Sequence, residues 1–336
     1  MTFHRQGLGY VQPIPSIAAL IKADRIKRSS DGLHAELTVE SAVLDRTNTR
    51  SGHLNRSREN LSSSVALTRL AGKLAKRVPA DWDEILGEFA KLVLEAESQG
   101  EPVIMVGNLP RRQSSKYAVF PLCSAGDTTI LFGDGEAGKS FFALGIAYMV
   151  RTGASVIPDM RADKGVPLYL DWETTEYEID ERIKQIARFQ RVDPPDIPYR
   201  RMAGPITDHV ETLAGVIAEL GVTFLVVDSF EMAMAGGENR DANDSVIRFF
   251  SAMRTLGTTA LVLDHINKND ADRVGGATKP YGSIYKHNMA RSTWELRRDI
   301  DYRILTNRKS NNDRFDGSLA YQYVFADGGV SFVSGR

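Results

Sequence analysis

The chain is nearly without cysteine, with Cys123 its single thiol in 336 residues. One cysteine forms no internal disulfide and no cysteine-based zinc centre, which suits a reducing compartment. Long apolar runs are missing too. No stretch approaches the ~18 residues of a membrane-spanning helix, and Met1-Thr2-Phe3-His4-Arg5 lacks the apolar centre of a secretory leader. A cytoplasmic location is the expectation. Excess charge of one sign is also lacking, because 42 basic side chains face 43 acidic ones for a net charge of −1. No global positive field advertises nucleic acid, so any such binding must be local. Hydrophobic residues at 42% and charged residues at 25% are ordinary for a folded chain, and the length suffices for about two domains.

The N-terminal third differs in character, with basic side chains outnumbering acidic ones over residues 1–118. β-compatible runs at Ile17–Lys27 and Leu33–Ser41 flank Ser29-Ser30-Asp31-Gly32, a hairpin turn in which Gly32 can take a positive φ. A polar stretch, Asp45–Ser57, separates this hairpin from two segments of helical spacing. These are Leu61–Arg77, with Leu67, Leu70 and Leu74, and Trp82–Ala96, with Ile85, Phe89 and Leu92. A small α+β N-terminal domain over residues 1–118 is expected, serving assembly or partner docking. Its Lys22, Arg25, Lys27 and Arg28, with Arg111 and Arg112, read as a solvated basic face, the alternative being a basic patch for nucleic acid. Pro110–Lys116 reads as a surface connector.

From Thr128 onward short Val/Ile/Leu runs alternate with helical patterns. Near-continuous apolar strands interleaved with helices predict an α/β domain over residues 119–336, its mainly parallel sheet covered on both faces. Arg303–Thr306, Ala320–Phe325 and Val330–Val333, the last two joined by the turn Ala326-Asp327-Gly328-Gly329, predict an antiparallel C-terminal edge.

Gly133-Asp134-Gly135-Glu136-Ala137-Gly138-Lys139-Ser140 fits G-x-x-x-x-G-K-[ST] at every defined position. Glycines let the backbone wrap closely so that its N–H groups face phosphates, and the following helix dipole favours the anion. Lys139 then reaches the β/γ-phosphates and Ser140 can ligate Mg²⁺. The context fits as well, with strand-like Thr128–Phe132 before the loop and helix-like Phe141–Val150 after it. Gly133 through Phe141 are the candidate ATP-binding residues. Downstream, Phe224-Leu225-Val226-Val227-Asp228-Ser229 brings an aspartate to a strand end, where a second Mg²⁺-side carboxylate is needed. Leu168-Tyr169-Leu170-Asp171-Trp172-Glu173 is another buried run that ends in carboxylates.

Loop, then a strand ending D-x-E, then a strand ending Asp-Ser resembles the RecA-like P-loop ATPases. That resemblance implies a catalytic role for Glu173, polarising the water that attacks the γ-phosphate, with Asp171 a structural or Mg²⁺-network neighbour. The two carboxylates can exchange those roles. Ala260-Leu261-Val262-Leu263-Asp264-His265-Ile266-Asn267-Lys268 is similar to the strand end that carries a polar γ-phosphate sensor in such proteins, with His265 or Asp264 facing the nucleotide. Its histidine is closest to the plasmid- and phage-type replicative helicase branch, the RepA-type AAA family ATPases. Tyr281-Gly282-Ser283 through Ala290-Arg291-Ser292-Thr293-Trp294-Glu295-Leu296 resembles the G-S-x-x-x-x-x-x-A-R-x-x-W-x-L stretch of that branch, and Arg308-Lys309-Ser310-Asn311-Asn312 its K-x-N segment. In ring-forming relatives a basic residue there reaches the ATP of the neighbouring subunit. The resemblance gives that role to Lys309 first and Arg308 second, against a solvated basic turn.

RecA-like motors place DNA-binding loops after the strands ending here at Asp228 and His265. Met232–Asn243 is not clearly basic. Asn267–Gly282 carries Lys268, Arg273 and Lys279, which can neutralise phosphates, and Tyr281, which can stack on a base. The combined expectation is an ATP- and Mg²⁺-dependent motor, a ring of identical subunits such as a hexamer, acting on single-stranded DNA in replication of a plasmid, phage or similar element. A replication protein would dock on its N-terminal domain. The alternative is a nucleotide-switched assembly or regulatory ATPase that does not translocate.

Overall fold

The computed structural model describes residues 2–41, 52–100, 103–107, 109, 116–234, 241–266, 280, 284–311 and 317–335. The chain divides into two compact units, Met1–Arg111 and Arg112–Arg336.

In the first unit β1 (His4–Gln6), β2 (Gly9–Ile14), β3 (Ala19–Ser29), β4 (Gly32–Ser41) and β5 (His53–Asn60) form one antiparallel sheet in chain order. The β3–β4 hairpin turns where the sequence places it, with Ser29 paired to Gly32 and Gly32 at φ +137°. β5 lies where the sequence reads as a polar stretch. Leu54 supplies its buried apolar side chain, and charge pairs do the rest: Arg56 binds Glu36 on β4, and buried Glu59 binds Arg69 at 3.2 Å. α1 (Ser64–Ala75) starts at Ser63, whose hydroxyl accepts from the Ala66 N–H at 3.3 Å. α2 (Trp82–Gln99) starts at Asp81, which accepts from Glu84 at 3.1 Å. Leu67, Leu70, Ala71 and Leu74 of α1 meet Trp82, Leu86, Phe89 and Val93 of α2 in one core with Ile21, Leu37 and Val39 of the sheet.

The second unit runs β6 (Tyr117–Phe120), β7 (Cys123–Ser124), β8 (Thr128–Gly133), α3 (Lys139–Thr152), β9 (Arg161–Ala162), β10 (Pro167–Asp171), α4 (Glu176–Gln190), β11 (Tyr199–Arg201), α5 (Val210–Leu220), β12 (Phe224–Asp228), α6 (Phe230–Met234), α7 (Ala242–Leu256), β13 (Thr259–His265), α8 (Ile284–Met289), β14 (Ser292–Asp299), β15 (Tyr302–Ser310), β16 (Ser318–Ala326) and β17 (Gly329–Ser334). Nine strands make its main sheet in the order β11-β10-β12-β13-β8-β14-β15-β16-β17. The pairs from β11 to β14 are parallel, and those from β14 to β17 antiparallel. β13 is thus inserted between β8 and β12, and the carboxyl ends of β8, β10, β12 and β13 share one edge of the sheet. No helix among the described residues is long and apolar enough to cross a membrane.

Strand alternation decides which residues reach the site. On one face Leu131, Tyr169, Phe224, Val226, Leu261 and Leu263 pack with α3 and α4. On the other, Ile130, Phe132, Leu168, Leu170, Leu225, Val227, Ala260 and Val262 pack with α5, α6 and α7. Continued by the same period, Asp171, Asp228 and His265 fall on the α3 face. Asp264 falls on the opposite one.

Candidate active site

The loop between β8 and α3 is closed by its own lysine. Lys139, 6% exposed, donates to the carbonyls of Gly133 at 2.9 Å and Asp134 at 2.8 Å. Burial lowers its pKa, while Asp228, Asp134, Asp264 and Glu173 act to keep it charged. Two glycines are fixed by their surroundings. A Cβ on Gly133 would lie 2.1 Å from the Leu296 carbonyl oxygen, and Gly138 sits at φ +83° with a Cβ position 2.6 Å from the Tyr323 ring. Gly138 also caps α3, so the first N–H groups of the helix open toward the cavity at the loop.

That cavity holds about 260 Å³ and is lined by Gly135, Gly138, Lys139, Ser140 and Phe141 from the loop and helix. Glu173, Arg182, Asp228, Ser229, Leu263 and His265 complete it. Among the remaining sequence candidates of the loop, Ala137 is fully buried, Asp134 accepts from the Gly135 N–H at 2.8 Å, and exposed Glu136 pairs with Arg298 at 3.3 Å.

Asp228 ends β12 almost fully buried, and burial raises its pKa against hydrogen bonds from Tyr169 and Ser140. The Tyr169 hydroxyl donates to its Oδ2 at 2.7 Å, and burial raises the phenol's own pKa far enough to keep it a donor. Oxygen donors from an aspartate and a serine suit a hard divalent cation. Ser140 and Asp228 therefore fit Mg²⁺.

The two carboxylates at the end of β10 separate. Asp171 is fully buried; its Oδ1 accepts from the N–H groups of Glu173 at 2.9 Å and Thr174 at 3.2 Å, and its Oδ2 from the Tyr199 hydroxyl at 3.0 Å. That phenol is pushed up to about 12 by burial and by this bond. Asp171 thus holds the turn that presents Glu173. Glu173 itself is half exposed in the cavity, with Oε1 4.0 Å from His265 Nε2, in ion-pair rather than hydrogen-bond range. The imidazole, with the Ser229 hydroxyl, holds its carboxyl below the ordinary range against partial burial.

His265 and Asp264 separate likewise. His265 lines the cavity. Asp264 turns into the opposite core, where Lys286 of α8 meets both its oxygens at 3.1 and 2.9 Å while lying 4.6 Å from the Phe230 ring centroid.

Lys309 is held by the carboxyl end of α8. It lies inside β15 rather than in a turn, and its ammonium donates at 2.8 Å to the carbonyls of His287, Asn288 and Ala290 at the carboxyl end of α8. Arg308 is bound to buried Glu295. Both cations are thereby engaged by their own chain. Lys268, Arg273, Lys279 and Tyr281 lie outside the described residues.

Tyr169, Tyr199 and Arg182 are site residues that the sequence reading passes over. Tyr169 is detectable by parity, standing two residues before Asp171 on the same strand face. Arg182 belongs to the polar part of an amphipathic helix, and no local pattern distinguishes it from a solvated arginine.

No curated protein matches the chain. Among solved structures, a KaiC-like protein of the hyperthermophilic archaeon Pyrococcus horikoshii is similar at 15% identity and a TM-score of 0.46, covering 66% of this chain and 99% of that one. A family model described as an AAA domain matches residues 96–271, just over half of the chain, and that span contains the loop, Glu173, Asp228 and His265. The glycine-constrained loop, its buried lysine and this match agree, and the chain belongs to the AAA domain family, whose members are P-loop ATPases.

Proposed function

We propose that the cavity binds ATP with Mg²⁺ and hydrolyses it, and that the chain uses this cycle as a RecA-like motor on single-stranded DNA. One observation carries the chemistry: Lys139, Ser140, Glu173 and Asp228, drawn from three strand ends, line a single cavity. The loop N–H groups and Lys139 hold the phosphates. A Mg²⁺ ion held by Ser140 and Asp228 would neutralise charge on the phosphate oxygens. Glu173, ionised at neutral pH, orients the attacking water and accepts its proton. Arg182, on α4 at the same cavity, supplies the cation that stabilises charge developing on the γ-phosphate. Asp171 acts through Glu173 by fixing its turn. His265 contacts Glu173 and immediately precedes the segment containing Lys268, Arg273 and Lys279, to which DNA phosphates are assigned. A ring of identical subunits and a replication partner for the N-terminal unit complete this reading, as the sequence resemblance implies.

A second reading, a nucleotide-switched assembly ATPase without translocation, is favoured by Arg308 and Lys309. Both are bound within their own chain. Steady-state ATP hydrolysis with and without single-stranded DNA, across salt concentrations, separates the two. A motor is stimulated by DNA, and the stimulation fades as salt rises. A slow rate indifferent to DNA would overturn the motor and leave the switch.

A further inference from the structure

The antiparallel end of the sheet grips the phosphate loop from outside the cavity. Gly133 abuts the Leu296 carbonyl of β14, and Glu136 pairs with Arg298 of the same strand. From β15, Arg303 Nε donates to the Ala137 carbonyl at 2.9 Å. From β16, the Tyr323 hydroxyl donates to the Gly138 carbonyl at 3.3 Å, and its ring covers Gly138 where a Cβ would stand. The Arg303 guanidinium lies 5.2 Å from the centroid of that ring, so the two side chains brace each other.

A trans peptide holds its C=O and N–H in one plane, pointing in opposite directions across the C–N bond. Holding the Ala137 carbonyl therefore aims the Gly138 N–H the other way, and holding the Gly138 carbonyl does the same for the Lys139 N–H. The Gly138 carbonyl also accepts from Phe142 at 3.0 Å, which ties the same peptide to the first turn of α3. Both N–H groups belong to the part of the loop that lines the cavity.

We propose that Arg303 and Tyr323 are positioning residues for phosphate binding, which fix the peptide planes 137–138 and 138–139 so that their N–H groups face the nucleotide before it arrives. This rests on the reading of that loop as a phosphate site. The sheet edge is then part of the nucleotide machinery although neither side chain touches the ligand, and what moves β15 or β16 changes ATP affinity. Preorganised donors bind more tightly than donors that must be ordered on binding.

The test is the dissociation constant for ATP and for ADP, each with Mg²⁺, on the full chain. Tyr323→Phe keeps the ring over Gly138 and the contact with Arg303 and removes only the hydroxyl. It is expected to weaken both nucleotides ~5-fold, the range of one neutral hydrogen bond. Arg303→Met is expected to weaken them ~10-fold or more, with Arg303→Lys in between. The KM for ATP should rise in the same proportion while kcat at saturation moves less. A merely structural role lowers the Tm of the nucleotide-free chain and leaves affinity alone. Affinities within twofold of wild type in Tyr323→Phe would overturn the proposal, and that variant decides the matter if Arg303→Met fails to fold. Wild-type chain that binds no nucleotide would remove the phosphate-site reading itself, and this proposal with it.

Discussion

Glu173 on the turn after β10 and His265 at the end of β13 meet across the cavity, Oε1 to Nε2 at 4.0 Å, although β12 separates their strands in the sheet. The contact joins the proposed hydrolytic carboxylate to the strand end nearest the proposed DNA segment. It also lowers the pKa of Glu173. A carboxyl with a lowered folded pKa stays ionised below its ordinary value, and the stability it contributes, present in full above that value, is lost as pH falls through the lowered one. The fall in kcat from protonating Glu173 is therefore expected only below the ordinary carboxylate range, well away from neutral pH. His265→Asn should move that limb upward, toward the ordinary range of a glutamate. The pH profiles of both chains, measured side by side, check this; superimposable limbs would contradict it.

Lys139→Ala should abolish productive ATP binding, since it removes the ammonium that bridges Gly133 and Asp134 and that phosphates would draw to themselves. Equilibrium binding of a fluorescent ATP analogue reads the loss. Unchanged affinity would contradict the site.

Arg182→Ala should leave ATP affinity within a few-fold and lower kcat ~10²-fold, the scale of one lost charge-stabilising donor. Because Arg182 lines its own chain's cavity, adding this variant to wild-type chain should lower turnover only in proportion to dilution. A disproportionate fall would mean that a cation crosses between subunits.

For Lys309→Met the expected effect is on folding. Three carbonyls at the end of α8 lose their ammonium, at a cost of ~1–3 kcal/mol, read by denaturant unfolding. If stability holds while kcat collapses, Lys309 has the trans role that the sequence resemblance implies.

Much of the site is legible in the sequence because phosphate binding demands particular residues at fixed spacing. Gly133 and Gly138 are required by a carbonyl and a ring that touch them, and Lys139 and Ser140 follow from the same loop. The roles of neighbouring carboxylates are less legible. Asp171 and Glu173 share a strand end, and what separates them is Tyr199, a partner 28 residues away that turns Asp171 inward. Asp264 and His265 are separable from the sequence, because the alternation Leu261-Val262-Leu263 puts them on opposite faces. Lys309 is not decidable locally, as its partners lie 19 to 22 residues away in the last turn of α8 and just after it. β5 is not legible in the sequence because ion pairs replace the apolar alternation that marks a half-buried strand.

The most direct measurement compares ATP binding and steady-state hydrolysis for wild type, Glu173→Gln and Asp171→Asn. Glu173→Gln is expected to bind ATP as wild type does and to stall hydrolysis, with Asp171→Asn losing stability first and turnover only in consequence. Hydrolysis that survives Glu173→Gln and stops in a stably folded Asp171→Asn chain would contradict the assignment of Glu173 as the residue that activates water.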